Sequence, residues 1–385
     1  MKRETDTPPA AGAERAVTPH LLRIDVLRAI AILLVFLLHW FGQAYGTDHL
    51  NWNGLLRDPA SAPSTSFIAF FPLSFGWMGV PLFFVISGFC IHASALKNNE
   101  LRVGKFFWRR FWRIYPPYLA ALIFAIFISQ TDITTADGQG QLWSHLLLIH
   151  NFRDDWIFAL NGVFWSLAVE AQLYLLYPLL WQLRVRWGIA GALKLTLLLS
   201  VVGRVLCAVF LTRWDQELSG PMWTSPLFLW FDWTLGAFLA ERYLAGAVAF
   251  PKGAFLRWIA FVVLVISTFA KPTAIFTFSL ASVFFALAAE SYLRREKAVG
   301  VVERWLVPLG LCSYSFYLIH YPLVRIIAEA LRSTGSFDNP ALLICAAPVG
   351  VITIGLISFV AYLIVERGSV ALGRRLFKLR GGVAR

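Results

Sequence analysis

LLRIDVLRAIAILLVFLLHWFGQAY, residues 21–45, is apolar and long enough to cross a bilayer as one helix, yet it carries Arg28 and His39. Ionisable side chains are expensive in hydrocarbon and are usually retained there for a task, so the pair reads as part of a functional site. Eleven helical steps of ~100° return to nearly the same face and separate the two side chains by about 16 Å along the axis. One face of this helix therefore runs from Arg28 near one membrane surface to His39 near the other. A structural reading competes: Arg28 can snorkel to headgroups or pair with Asp25, and His39 can be an interhelical hydrogen-bond partner.

Working outward, hydrophobic residues make up 58% of the 385 and charged residues only 15%, which excludes an ordinary soluble domain. The recurring apolar runs predict an all-α, polytopic membrane protein with ten spans. They lie roughly at 22–45, 74–96, 112–131, 162–183, 189–212, 226–245, 255–270, 274–292, 307–331 and 341–365. The net charge of +12 does not point to nucleic acid, because 27 of the 34 Lys and Arg fall in alternate loops on the side that holds both ends. The positive-inside rule then makes both termini cytosolic. Many of the 16 Trp residues, Trp40, Trp108 and Trp165 among them, sit near span ends, where an amphipathic ring suits the interface. Residues 1–20 read as a disordered cytosolic lead-in, 21–366 as one membrane domain and 367–385 as a basic cytosolic tail. Two outer loops, 46–73 and 132–161, carry Asp48, His49, Asp58, His145, His150, Asn151, Asp154 and Asp155, as acceptor contacts or as solvated connections.

Several chemistries find no support. Cys90, Cys207, Cys312 and Cys345 are scattered through the spans without zinc-site spacing, and they read as small apolar packers. No HExxH, GxxxxGK or GxGxxG pattern occurs, so no metal site is expected, and neither nucleotide hydrolysis nor Rossmann-type binding is indicated. Chemistry has to come from polar groups embedded in the membrane.

In NGVFWSLAVEAQLYLLYP, residues 161–178, Ser166, Glu170 and Tyr174 recur every four positions and share a helix face. Glu170 falls at a depth comparable with His39, so a His oriented by a carboxylate, a recurring general-base arrangement, is one reading. An ion pair of Glu170 with Arg204 or Arg325 is the other. KFFWRRFWRIYPPY, residues 105–118, places Arg109, Arg110 and Arg113 in a cytosolic loop entering the third span. Guanidinium forks match the phosphate oxygens of an anionic donor there, or simply mark topology and headgroup contact. FFVISGF, residues 83–89, puts Ser87 and Gly88 mid-span, for close packing or for ligand space. CSYSFYLIHYP, residues 312–322, brings Tyr317 and His320 into the membrane, with His320 a rival catalytic candidate, and Asp232 is a further intramembrane acid.

Together these segments resemble the acyltransferase-3 family of membrane O-acyltransferases, which includes bacterial O-antigen and other polysaccharide O-acetylases. The resemblance covers the membrane domain. Arg28 and His39 match a basic residue, ten residues, then His; FFVISGF matches a second-helix motif; RRFWRIYP at 109–116 matches an RxxR element; FWSLAVEAQLYLLYP and SYSFYLIHYP follow in the family's order. The resemblance implies ten helices in a bacterial inner membrane, an acyl-CoA donor, usually acetyl-CoA, bound from the cytosol, and transfer to a hydroxyl of a periplasm-facing glycan or glycolipid. It implies His39 as general base or transient acyl carrier, assisted by Arg28 and Glu170. Arg109, Arg110, Arg113 and Ser87 are then expected on the donor side, and Ser166, Tyr174, Tyr317 and His320 near the substrates. With no hydrolase-like domain after the last span, a stand-alone enzyme is expected. The rival from another class is a proton-coupled transporter or flippase using Arg28, His39, Glu170 and Asp232 as a relay.

Overall fold

A run rich in Leu, Ile, Ala and Val from 26 to 38, free of Gly and Pro, carries the first stretch as a continuous helix, α1 (Pro19–Tyr45), with Pro19 at the opening position where its missing N–H costs nothing. The computed structural model describes residues 19–45, 71–97, 100–214, 219–251, 253–268, 271–333 and 340–382. Residues 1–18 of the expected lead-in, and Asp48, His49 and Asp58 of the first outer loop, lie outside the described residues.

After α1, a 3-10 turn (Phe71–Met78) leads into α2 (Gly79–Leu96) and then α3 (Val103–Ser129). α3 begins nine residues before the predicted span, so Arg109, Arg110 and Arg113 lie on its first turns and not in a loop. Hydropathy marks where hydrocarbon starts; the aromatic and basic residues ahead of it are competent helix formers at the interface. α4 (Ala136–Leu146) follows inside the segment expected as an outer loop. Trp165–Trp214 is one helical run broken at Gly188, whose φ of 71° lets the chain reverse, giving α5 (165–187) and α6 (189–214) in place of the two predicted spans. α7 (Pro226–Leu244), α8 (Gly253–Ser267) and α9 (Thr277–Leu293) complete the middle of the chain. The single span predicted at 307–331 is instead two helices, α10 (Val301–Leu311) and α11 (Ser313–Ser333), separated at Cys312. α12 (Pro340–Ala361) runs through a π-helical turn (Tyr362–Glu366) into α13 (Arg367–Gly382), so most of the expected tail is an ordered helix.

Among the described residues the fold is helical without strands, and five helical runs are long and apolar enough to cross a membrane: Leu22–Gln43, Phe75–Leu96, Val103–Ser129, Trp165–Trp214 and Ala341–Leu379. The remaining predicted spans correspond to helices that are shorter, as α8 and α9 are, or that carry charges, as α7 and α11 do.

The core gathers α1, α2, α3, α5, α7 and α11 around Phe36, Phe84, Tyr118, Phe164, Tyr177, Trp233 and Phe316. Lipid offers helices no hydrophobic reason to associate, so close backbone packing has to hold them. α2 and α7 meet at reciprocal glycines: a Cβ on Gly88 would overlap the carbonyl oxygen of Trp233, and one on Gly236 that of Val85. Gly88 is thus a packing residue, while its neighbour Ser87 turns to the interior.

α4 and the short turns after it form a cap tied to the bundle. Tyr118 donates to the His145 carbonyl (3.0 Å), Gln172 to the Leu148 carbonyl (2.9 Å) and Trp156 to Asp137 (3.0 Å). Inside the cap the rings of His145 and His150 stack at 3.8 Å, both fully buried. They are packing groups of the cap and not solvated acceptor contacts. Burial lowers His145 to about 4; burial, then the neighbouring His145, lowers His150 to about 2.

Two outcomes follow from this packing. Gly88→Ala should lower stability by about 1–3 kcal/mol through overpacking, whereas Gly104→Ala, with open space around it, should leave the thermal unfolding midpoint in detergent unchanged. For the cap, the opened state takes up protons near the ordinary His pKa of ~6.5 while the closed state does not, so acid favours opening. Stability contributed by the two rings should be intact above pH ~6.5 and fall as the pH drops towards about 4. Hydrogen exchange in 136–152 should accelerate over that window, and a His145→Phe/His150→Phe variant should lose the acceleration.

Candidate active site

The stripe Ser166, Glu170 and Tyr174 on α5 faces α2 across a cavity of about 130 Å³, which is also lined by Arg28, Ser87, Arg110, Arg113 and Tyr317. Ser87 donates to Glu170 Oε1 at 2.7 Å, and the Tyr174 hydroxyl donates to the same oxygen. Trp233 Nε1 in turn donates to Ser87 Oγ at 3.2 Å. A carboxylate in a low-dielectric site needs such donors to stay there. Glu170 is therefore held by hydroxyls within a cavity that also presents three guanidiniums, and it is not the ion-pair partner of Arg204 or Arg325. Those pair elsewhere, Arg204 with Asp232 at 3.8 Å and Arg325 with Glu329 at 3.2 Å. Asp232 has its partner in Arg204 and also accepts from Ser279 at 3.0 Å.

Arg28 satisfies both readings of the sequence. Its guanidinium pairs with Asp25 one turn earlier (3.2 Å), reaches Cys90 Sγ at 3.5 Å, and lines the cavity. Cys90 is thus part of the cavity wall. On the opposite flank, Arg113 pairs with Glu366 at 3.0 Å, and Ser315 donates to the other oxygen of that buried carboxylate at 2.9 Å. Glu366 escaped the sequence reading because it stands at the edge of the last apolar run. Its signal is that an acid there closes a π-helical turn, a feature frequent at functional sites. His92 was missed as well: it is fully buried between Tyr177 and Glu241, at 3.2 Å from each, with Arg184 closing the group at 2.9 Å from Glu241.

His39 does not meet Glu170. Its ring lies 5.3 Å from that of His320 and 5.0 Å, edge-on, from Tyr321. The expected carboxylate-oriented imidazole is replaced by a pair of imidazoles, because α5 turns Glu170 towards Ser87 of α2 while His320 of α11 faces α1. Nδ1 of His320 is 2.8 Å from the Tyr317 carbonyl oxygen, which can only accept, so Nδ1 carries the proton and Nε2 keeps its lone pair. That Nε2, and Nδ1 of His39, are buried and have no hydrogen-bond partner among the described residues. Neither imidazole lines the cavity; they stand behind Tyr317, whose ring is 5.6 Å from His320 and whose hydroxyl is 2.6 Å from Ser166 Oγ. A lone pair on His320 and an unpartnered nitrogen of His39 thus sit one tyrosine away from a cavity rich in guanidiniums, a composition able to move protons and to hold anions.

Comparison with known proteins places this geometry. A family model described as an acyltransferase domain matches residues 21–363. The chain belongs to the acyltransferase-3 family. Among relatives of this family member, the acyltransferase MdmB of Streptomyces mycarofaciens is 26% identical over 343 residues, 80% of each chain. The peptidoglycan O-acetyltransferase OatA of Listeria monocytogenes is 24% identical over 67% of this chain and 46% of its own length, and nodulation protein 10 of Rhizobium leguminosarum bv. viciae 28% identical over 45% and 48% respectively. No solved structure matches the chain. The acyltransferase-3 domain, its apolar helices and its relatives make this a multi-pass membrane acyltransferase, and they favour group transfer over the transport reading.

The hydroxyl cluster around Glu170 makes a distinct expectation. Glu170→Ala strands two buried hydroxyls and should cost about 1–3 kcal/mol of stability. In that background Tyr174→Phe should cost less than in the parent protein, a non-additivity that thermal unfolding of the four variants measures. Additive losses would show that the two groups act separately.

Proposed function

We propose that this acyltransferase moves an acyl group, acetyl in the first instance, from cytosolic acyl-CoA to a hydroxyl of a glycan or glycolipid on the outer face of a bacterial inner membrane. The fold is then read with ten crossings and both termini in the cytosol, from the distribution of Lys and Arg. OatA is named for O-acetylation of peptidoglycan, which supports a glycan acceptor here. One observation carries the reading: Arg110 and Arg113 line both the inner cavity and a second, basic cleft, and Tyr317, which also lines the inner cavity, packs against His320, which in turn packs against His39. A long donor with a phosphate head and a thioester end fits such a path.

In this mechanism His39 acts as general base. The acceptor oxygen attacks the thioester carbonyl as its proton passes to the imidazole; the C–S bond then breaks and the departing thiolate takes that proton. Base catalysis of this kind contributes about 10²–10⁴-fold. Ser166 turns its hydroxyl from Tyr317, 2.6 Å away, to the developing oxyanion, while Tyr317 keeps its proton on the Val163 carbonyl at 3.0 Å and lines the acyl path. Arg28, with Asp25 holding it, and Ser87, held through Trp233, line the passage of the donor's arm. His320, with Nδ1 committed to a carbonyl, presents its lone pair beside His39 and serves as second acceptor for the proton.

His39→Ala should lower acetyl transfer from acetyl-CoA, read as CoA released in the presence of acceptor, by about 10²–10⁴-fold, with the unfolding midpoint retained. His320→Gln should lower it less. If the His39 variant keeps full transfer and the His320 variant loses it, the base has been assigned to the wrong ring.

A further inference from the structure

The second cleft, about 580 Å³, is made by two helices that the sequence keeps far apart. α3 supplies Lys105, Arg109 and Arg110, and α13 supplies Arg374 and Lys378. Among the described residues none of these five cations forms an ion pair, no acid lines the cleft, and Nε of Arg110 is buried without a partner. Like charges converging in this way repel one another unless an anion joins them. Aromatic rings complete the walls: Trp112 from α3, whose buried Nε1 also has no partner among the described residues, and Phe377 from α13, over which Lys105 sits at 6.0 Å.

α13 is fixed in place and not a loose tail. Trp108 Nε1 donates to the Gly373 carbonyl at 2.8 Å, Ser369 Oγ donates to the Trp112 carbonyl at 2.8 Å, and Gly373 lies so close to the Trp112 ring that a Cβ there would overlap it. The helix lies beyond residue 363, where the family match ends.

We infer that α13 is the second wall of a binding site for the phosphate-rich adenosine head of coenzyme A, with Arg374 and Lys378 opposing Lys105, Arg109 and Arg110 across the phosphates. This rests on acyl-CoA being the donor. Flat rings among unpaired cations suit a nucleotide, since a purine stacks on aromatic or guanidinium faces while its phosphates take the charges. Phosphate on an anionic lipid headgroup shares the charge chemistry, but its chains belong in the bilayer. The cleft instead shares Arg110 and Arg113 with the inner cavity, which gives the donor's linear arm a route inward.

The test uses the full chain in nanodiscs of zwitterionic lipid, with CoA and adenosine 3′,5′-bisphosphate as probes. Arg374→Gln/Lys378→Gln should weaken both by about tenfold or more and flatten the salt dependence of binding. The charge-keeping Arg374→Lys/Lys378→Arg exchange should stay within about threefold, and Arg186→Gln, an exposed cation elsewhere, should match the parent protein. Equal affinity of the parent and the Gln variant for the probes would overturn the assignment to α13 and leave the donor reading standing. Failure of the parent protein to bind CoA at all would remove both. If the Gln substitutions change only the association with phosphatidylglycerol vesicles, the cleft reads lipid and the assignment falls.

Discussion

Every charge that this protein places among its helices has to be answered by a partner, and that requirement arranges the interior. Desolvating an isolated carboxylate or guanidinium in a medium of low polarity costs more than a helix contact returns. The chain meets this with a set of local pairings: Asp25 with Arg28, Arg113 with Glu366, Arg204 with Asp232, and Glu170 with the hydroxyls of Ser87 and Tyr174. Each pairing ties two segments or two turns together and fixes where a polar side chain points. The cavity lies where three of these groups converge.

Two imidazoles keep open nitrogens beside this network. His39 and His320 each have a buried nitrogen without a partner among the described residues, and His320 packs at 5.6 Å on the ring of Tyr317, whose hydroxyl meets Ser166. In the proposed mechanism these are the groups that take up a proton and give it back. His145 and His150 also keep buried nitrogens without a partner among the described residues, but these two rings stack on each other in the cap, where burial keeps them neutral.

Much of this was legible beforehand. The Arg28–His39 spacing, the Ser166–Glu170–Tyr174 stripe and the Tyr317–His320 turn all lie on one helix each, and helical periodicity alone places residues along a single element. The family resemblance rested on those same segments, and the domain match over residues 21–363 agrees with it. What went unread has a common cause. A hydropathy window is blind to the amphipathic first turns of α3, to the break at Cys312 and to the π-helical turn at Glu366, whose carboxylate answers Arg113 far off in the chain.

The sequence by itself determined that the chain is a helical membrane protein, which ionisable groups enter the bilayer and which of them share a helix face, because those properties follow from local spacing and transfer cost. Only the tertiary structure decided that Glu170 answers Ser87 and Tyr174 while His39 answers His320, and that α13 folds back on α3. The rotation of one helix against another, set by contacts such as Gly88 on Trp233, is a sum over residues remote in the chain, and no local pattern carries it.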